Sequence, residues 1–322
     1  MTKAKVAVYW AGSCGGCDIA ILDIHEALLP LLDKVDFVFW PCVMDVKFSD
    51  VENMPDKYMD ICFFNGAIRN SENRHMAELL RKKSKTLVAF GSCSAFGGIP
   101  ALSNLFTKNG TFKRAYMESE STVNETGVWP GVKTEIGPYK LELPEIYDTV
   151  LKLSDVTDVD YIMPGCPPVP EQIKNVIGAV LEGNLPKKGE TVGAGGKNLC
   201  EECPRVREEK KIKRFYRPQE LEHIDHEKCL LDQGLLCLGP ATRSGCGAQC
   251  PAANMGCRGC YGPLPGVKDQ GLKFLSAIAS VIDSKDEKEM EEIINTIVAP
   301  AGTFYRFTMA DSLLKRKGGV KD

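Results

Sequence analysis

The stretch Gly12-Ser13-Cys14-Gly15-Gly16-Cys17-Asp18 decides how the rest of the chain is read. It follows an apolar run ending at Trp10 that has the composition of a buried strand, and it precedes a helical pattern beginning at Asp18 or Ile19. Two thiols three residues apart thus sit on a glycine-rich turn between a strand and a helix. That placement suits a soft metal or a redox dithiol.

Strand-like runs recur at residues 5–10, 35–40, 60–64, 86–90 and 159–163. They are rich in Val, Ile, Phe, Tyr and Trp, and most lack polar alternation, as strands covered on both faces do. Helical patterns lie between them. Ser71 can cap a helix with Met76, Leu79 and Leu80 on one face and Arg81-Lys82-Lys83 at its C-terminus. Ile173, Val176, Ile177, Val180 and Leu181 mark a second, closed by Gly183. Alternating strands and helices predict an α/β chain with a doubly wound parallel sheet. Residues 94–158 form a long insertion, with loops at Trp129-Pro130-Gly131 and Gly137-Pro138 and an expected helix over 145–153 behind Pro144.

Fourteen cysteines in 322 residues stand out from an otherwise ordinary globular composition of 43% apolar and 26% charged residues. No apolar run approaches the ~18 residues of a membrane span, and the net charge of −3 argues against nucleic acid as the main partner. Met1-Thr2-Lys3-Ala4-Lys5 shows neither a signal-peptide core nor a twin-arginine leader, so the expected location is the cytoplasm. A reducing compartment favours metal over disulfides. Cys14 and Cys17 follow the first strand, Cys93 the fourth and Cys166 the fifth. Ligands collect at the carboxyl ends of strands in such sheets. These four thiols can therefore converge on one centre, a 4Fe-4S cluster or a structural zinc, and the surrounding glycines favour the cluster by freeing backbone N–H groups for sulfur. Cys42 and Cys62 are taken as packing residues.

The sheet pattern ends near residue 185. Pro186-Lys187-Lys188-Gly189 and Gly193-Ala194-Gly195-Gly196 read as a linker, dividing the chain into domains 1–185 and 186–322. Eight cysteines follow, splitting at the glycine-rich turn before Cys246 into Cys200, Cys203, Cys229, Cys237 and Cys246, Cys250, Cys257, Cys260. A zinc ribbon wants its knuckles about 15–20 residues apart; the pairs 200/203 and 257/260 are much wider, which again favours clusters. Such a segment has little apolar core and needs metal staples. His223 and His226 lie near Cys229, where an imidazole can stand in for a thiolate. The basic run 205–217 reads as a solvated face. Two helices are expected beyond, one with Leu272, Leu275, Ile278, Ala279 and Ile282, the other with Met290, Ile293, Ile294 and Ile297; the end, Lys315-Arg316-Lys317-Gly318-Gly319, should fray.

With Cys14-Gly-Gly-Cys17, Gly91-Ser-Cys93-Ser-Ala-Phe-Gly97-Gly98, Pro164-Gly-Cys166-Pro-Pro and the ordered block to Cys260, the chain resembles the small, electron-transferring subunits of nickel–iron hydrogenases. The resemblance implies a flavodoxin-like first domain holding a proximal 4Fe-4S cluster on Cys14, Cys17, Cys93 and Cys166. It implies a smaller second domain with little regular sheet, holding a medial cluster on Cys246, Cys250, Cys257 and Cys260 and a distal one on Cys200, Cys203, Cys229 and Cys237. Many members have a histidine where Cys200 stands, and a proline where Cys250 stands, which gives a 3Fe-4S centre; cysteines at both positions imply three complete 4Fe-4S clusters. The all-cysteine set and the absent leader look like the cytoplasmic F420-non-reducing, methyl-viologen-reducing type of methanogens. That type implies a nickel–iron large subunit as partner, and an iron–sulfur adaptor and heterodisulfide reductase as acceptors. No catalytic residue is then expected in this chain, and Trp10, Trp40, Ile99 and Pro100 should lie near the interface. The alternatives are the small subunit of another redox complex, deazaflavin-reducing or quinone-reductase-like, and a zinc-stabilised interaction protein.

Overall fold

The computed structural model describes residues 3–208 and 212–314. The terminal stretch expected to fray lies outside them, as do residues 209–211 of the basic run. Five strands, β1 (Ala4–Trp10), β2 (Val35–Phe39), β3 (Met59–Asn65), β4 (Ser84–Phe90) and β5 (Tyr161–Met163), pair in parallel in the order β2-β1-β3-β4-β5. This is the flavodoxin-like order, with its direction reversing between β1 and β3. Successive side chains leave a strand on opposite faces. Val6, Val8, Ile61, Phe63, Val88 and Phe90 meet α1 (Gly16–Leu22) and α4 (Pro170–Glu182) on one face. Ala7, Tyr9, Cys62, Phe64, Leu87 and Ala89 meet Met76, Ala77 and Leu80 of α2 (Ser71–Lys83) on the other. Helices on both faces make the sheet doubly wound, as the alternation predicted.

Local differences from the expectations have physical causes. The cap of α2 is Asn70, whose side chain accepts from the Asn73 N–H at 2.8 Å; Ser71 is the first helical residue. The helix expected at 145–153 is a strand, Ile146–Leu151, antiparallel to Ile68–Asn70. The Asn104 side chain donates to Val150 O at 2.9 Å and accepts from Val150 N at 2.8 Å, so this short strand is hydrogen-bonded on its second edge as well. The insertion also carries a helix, Lys108–Tyr116, and a hairpin, Lys133–Ile136 with Tyr139–Glu142, turned at Gly137-Pro138. The expected linker is tied down. Thr191 bridges to Ile162 in parallel, Val192 is buried and donates to Ile162 O at 2.8 Å, and Gly195 N donates to Ser244 O at 2.9 Å. Cys62 is buried as expected; Cys42 is exposed on a turn after β2.

Beyond residue 196 the described residues contain short helices and isolated bridges but no strand. They do contain a core, contrary to expectation: Leu199, Ile212, Phe215, Leu230, Leu235 and Phe274 pack in one cluster that also takes in Ala67, Ala101 and Val150 of the first half. Two expected helices are present, α5 (Gln270–Ala279) and α6 (Glu287–Asn295), but of the apolar residues expected along α5 only Ile278 is buried. Leu272 and Leu275 are exposed, and Gly271, Phe274 and Ile278 are buried. Phe274 meets Phe304 edge to face at 5.3 Å, and a Cβ on Gly271 would stand 2.4 Å from the Tyr305 ring. The glycine therefore sets which side of the helix approaches its neighbour. The C-terminal segment returns to the first half: Gly98 N donates to Phe307 O at 3.1 Å, and Lys152 pairs with Asp311. No helix among the described residues is long and apolar enough to cross a membrane.

Candidate metal centres

Twelve of the thiols fall in three neighbourhoods. At the carboxyl edge of the sheet, Cys14 and Cys17 flank the start of α1, Cys93 lies in α3 (Gly91–Phe96) directly after β4, and Cys166 follows β5. Cys17 is buried, Cys93 partly so, and Cys14 and Cys166 are exposed. Burial first, and then the neighbouring thiolates of Cys93 and Cys166, push the Cys17 thiol far above its usual range. Cys93 is pushed up to about 12 by burial and by Cys166 and Cys14, against a hydrogen bond from the Ile99 N–H. Thiols so placed release their protons only to a strong positive charge, which metal supplies. The space is shaped to match: Gly91, at φ +81°, leaves room beside Cys17, where a Cβ would stand 2.4 Å from Sγ.

Beneath this edge lies a polar layer that the sequence did not point out. The Trp40 indole N–H donates to Asp18 Oδ1 at 2.8 Å, Asn65 donates to Asp18 Oδ2, and Ser13 Oγ donates to Asn65 Oδ1 at 2.5 Å. Burial raises the Asp18 pKa despite those donors. Trp40 is therefore an internal brace with 2% of its surface exposed and offers no contact surface of its own; Trp10 and Ile99 are exposed beside the thiols, and Pro100 partly so. A buried carboxylate with amide and indole neighbours is an unusual pattern, but these residues are far apart in sequence and only the fold assembles them.

In the second half, Cys200, Cys203, Cys229 and Cys237 line one hollow with Leu199 and Leu230. Neither His223 nor His226 lines it, and both are exposed. A Cβ on Gly239 would stand 3.2 Å from Cys200 Sγ and 3.6 Å from Cys237 Sγ. Backbone N–H groups of Gly239 and Cys257 point at the Cys237 thiol, which burial lifts to about 12. The remaining set is held by backbone too: Ala248 and Gln249 N–H groups meet Cys246, the Gly259 N–H meets Cys257, and the Cys166 N–H meets Cys260. Cys260 feels the charge of Cys246 and Cys250, and Cys257 that of Cys260. Among the described residues, no three His, Cys, Asp or Glu side chains converge on a point where one metal ion could sit. Donors that are all thiols and are met by backbone N–H groups, in one set spread round a hollow, fit a many-atom iron–sulfur core.

Two junctions join the sets. The Cys166 N–H on the sheet edge reaches Cys260, and the Cys257 N–H donates to Cys237 Sγ at 3.3 Å. Glu202 adds a third tie, its carboxylate accepting from Gly245 N at 2.9 Å and Ala248 N at 3.3 Å. Arg205 corrects the solvated-face reading of its run. It is buried, and its guanidinium donates to Pro251 O at 2.9 Å, Asp225 O at 2.7 Å, Lys228 O at 2.9 Å and Asn254 Oδ1.

A flavodoxin-like sheet with thiols gathered at its carboxyl edge and a cysteine-lined second half defines a class of iron–sulfur redox subunits. The family model described as "NADH ubiquinone oxidoreductase, 20 Kd subunit" matches residues 14–180. The iron–sulfur subunit of the F420-non-reducing hydrogenase of Archaeoglobus profundus is 40% identical over 318 residues, covering 97% of this chain and 98% of that protein. A subunit of the F420-non-reducing hydrogenase of Methanothermobacter marburgensis is 39% identical over 319 residues, covering 98% and 97%. A chain of the [NiFeSe]-hydrogenase of Dm. baculatum superposes with a TM-score of 0.51 at 21% identity, over 83% of this chain and 97% of that one, a likeness of fold alone. The chain belongs to the family of F420-non-reducing hydrogenase iron–sulfur subunits, within the small-subunit class of nickel–iron hydrogenases, and is hence a component of an oxidoreductase.

Proposed function

We propose that this chain carries electrons between a nickel–iron large subunit, where hydrogen is oxidised, and an iron–sulfur adaptor serving heterodisulfide reductase, in the cytoplasm of a hydrogen-consuming methanogen or relative. The proposed ligands are Cys14, Cys17, Cys93 and Cys166 for a proximal 4Fe-4S cluster, Cys246, Cys250, Cys257 and Cys260 for a medial one, and Cys200, Cys203, Cys229 and Cys237 for a distal one. Such clusters, when bound, take up and release single electrons. The chain's own part is to hold, space and insulate them, with N–H groups aimed at sulfur to favour the reduced charge. The division of labour falls at residue 186, with one site on the sheet and two beyond it. The exposed thiols beside Trp10 and Ile99 form the face offered to the large subunit.

The observation that carries this reading is the pair of junctions, Cys166 to Cys260 and Cys257 to Cys237, which supports a row of three sites with the sheet-edge set at one end. Iron and acid-labile sulfide, counted per chain after anaerobic purification of the complex, test it. About twelve of each are expected, as three 4Fe-4S clusters require. Two or three zincs without sulfide would overturn it and leave a metal-stapled interaction protein.

A further inference from the structure

A cavity of about 320 Å³ opens in the second half, lined by Arg217, Arg258 and Arg306 with Thr303, Leu236 and Val298. No cysteine lines it, so it is separate from the thiol hollows. No carboxylate lines it either, and neither Arg258 nor Arg306 is ion-paired within the described residues. Glu220, near in sequence to Arg217, is taken up by the Arg214 guanidinium at 3.1 Å and the Arg217 backbone N–H at 2.6 Å. Within the cavity wall, Arg306 Nε is buried without a hydrogen-bond partner among the described residues. Burial, and then the charge of Arg258, disfavours the charged state of Arg306. Two guanidiniums facing one space that no carboxylate lines favour an anion between them.

We propose that this cavity is a binding site for a small oxyanion, a carboxylate or phosphate, carried on an apolar body. The guanidinium forks match either oxyanion with paired N–H donors. Leu236 and Val298 give the body an apolar wall, and a cavity of this volume exceeds the needs of a bare inorganic anion. Arg258 stands between Cys257 and Cys260, so an occupant would place negative charge beside a thiol set.

The test is calorimetric titration of the intact, anaerobically purified complex with inorganic phosphate and with phenyl phosphate. Saturable binding of both is expected, phenyl phosphate the tighter. Arg306→Met should weaken both by about tenfold or more, the loss of one charge-assisted pair. Arg306→Lys, which keeps the charge without the fork, should fall between and covers the case in which the methionine variant does not assemble. Iron per complex should be unchanged in the variants, which separates this result from any failure of the thiol assignments. Absence of saturable binding, or equal binding by wild type and Arg306→Lys, would overturn the proposal. So would a density map of the complex with a carboxylate side chain of another subunit filling the cavity.

Discussion

The two halves hold thiols by different means. At the sheet edge, Cys93 and Cys166 follow strands held in parallel register by continuous ladders to their neighbours, with Val88 opposite Tyr161 and Phe90 opposite Asn65. The scaffold exists before the thiols are added. In the second half, irregular backbone must find its hydrogen bonds elsewhere. Single side chains supply them: Arg205 binds three carbonyls from two segments, and Gln270 donates to Gly259 O at 3.0 Å and Thr242 Oγ1 at 3.1 Å. A ladder distributes its strength over many equivalent bonds, whereas a hub concentrates it in one residue.

The hub is the place where this contrast breaks most easily. Arg205→Met takes the charged donor from the carbonyls of Asp225, Lys228 and Pro251, leaving the first two only Gln233 Nε2 and the third only the Asn254 N–H. A loss of about 4 kcal/mol is expected, from several bonds to one charged group. Amide exchange should show it as lost protection over residues 199–260, with β1, β3 and β4 still protected; uniform loss across both halves would contradict the contrast.

Next in size is a pair of glycine substitutions. Gly91→Ala puts a Cβ against Cys17 Sγ in a left-handed backbone, a cost of about 1–2 kcal/mol before any steric term. On the proposed assignment of three clusters, iron per chain should fall by about one third, while far-UV circular dichroism stays as in wild type. Gly239→Ala, with the milder 3.2 Å approach and no positive φ, should lose less. Equal iron loss in both variants would show that close approach does not govern retention.

The smallest effect concerns Asp160, which accepts from Lys188, Arg81 and Leu87 N at the base of the sheet. Burial raises its pKa, but those three hydrogen bonds prevail and hold it below the ordinary 3.8. Its stabilisation is therefore complete above that value and disappears as pH falls through the lower folded one. Asp160→Asn should be less stable than wild type at pH 7, with the gap in urea midpoints closing in acid as pH falls below the ordinary carboxylate value. A gap that persists in acid would assign the effect to packing.

The same contrast explains what was legible in the sequence. The strands were, because sheets covered on both faces demand unbroken apolar runs, and so were the thiols beyond them, since residues following parallel strands share an edge. The strand Ile146–Leu151 was not, because its pairing with Ile68–Asn70 and with Asn104 is long-range. Arg205 was not, because a basic run gives no sign of which member turns inward. Periodicity located α5 but not its buried face, which the approach of Gly271 to Tyr305 decides. Cys62, inside the strand run 60–64, was rightly read as packed, whereas nothing local to Cys42 showed that its turn leaves it exposed.

The return of the C-terminal segment to Gly98 and Lys152 also has a consequence in time. During synthesis, all four thiols of the sheet edge are made before Phe307 and Asp311, which lie more than a hundred residues further along. At the usual pace of about 5–20 residues per second, that interval lasts roughly ten to thirty seconds. Throughout it the four thiols proposed as the first site are already made, so on that proposal their loading can come before the last piece of the chain closes against Gly98.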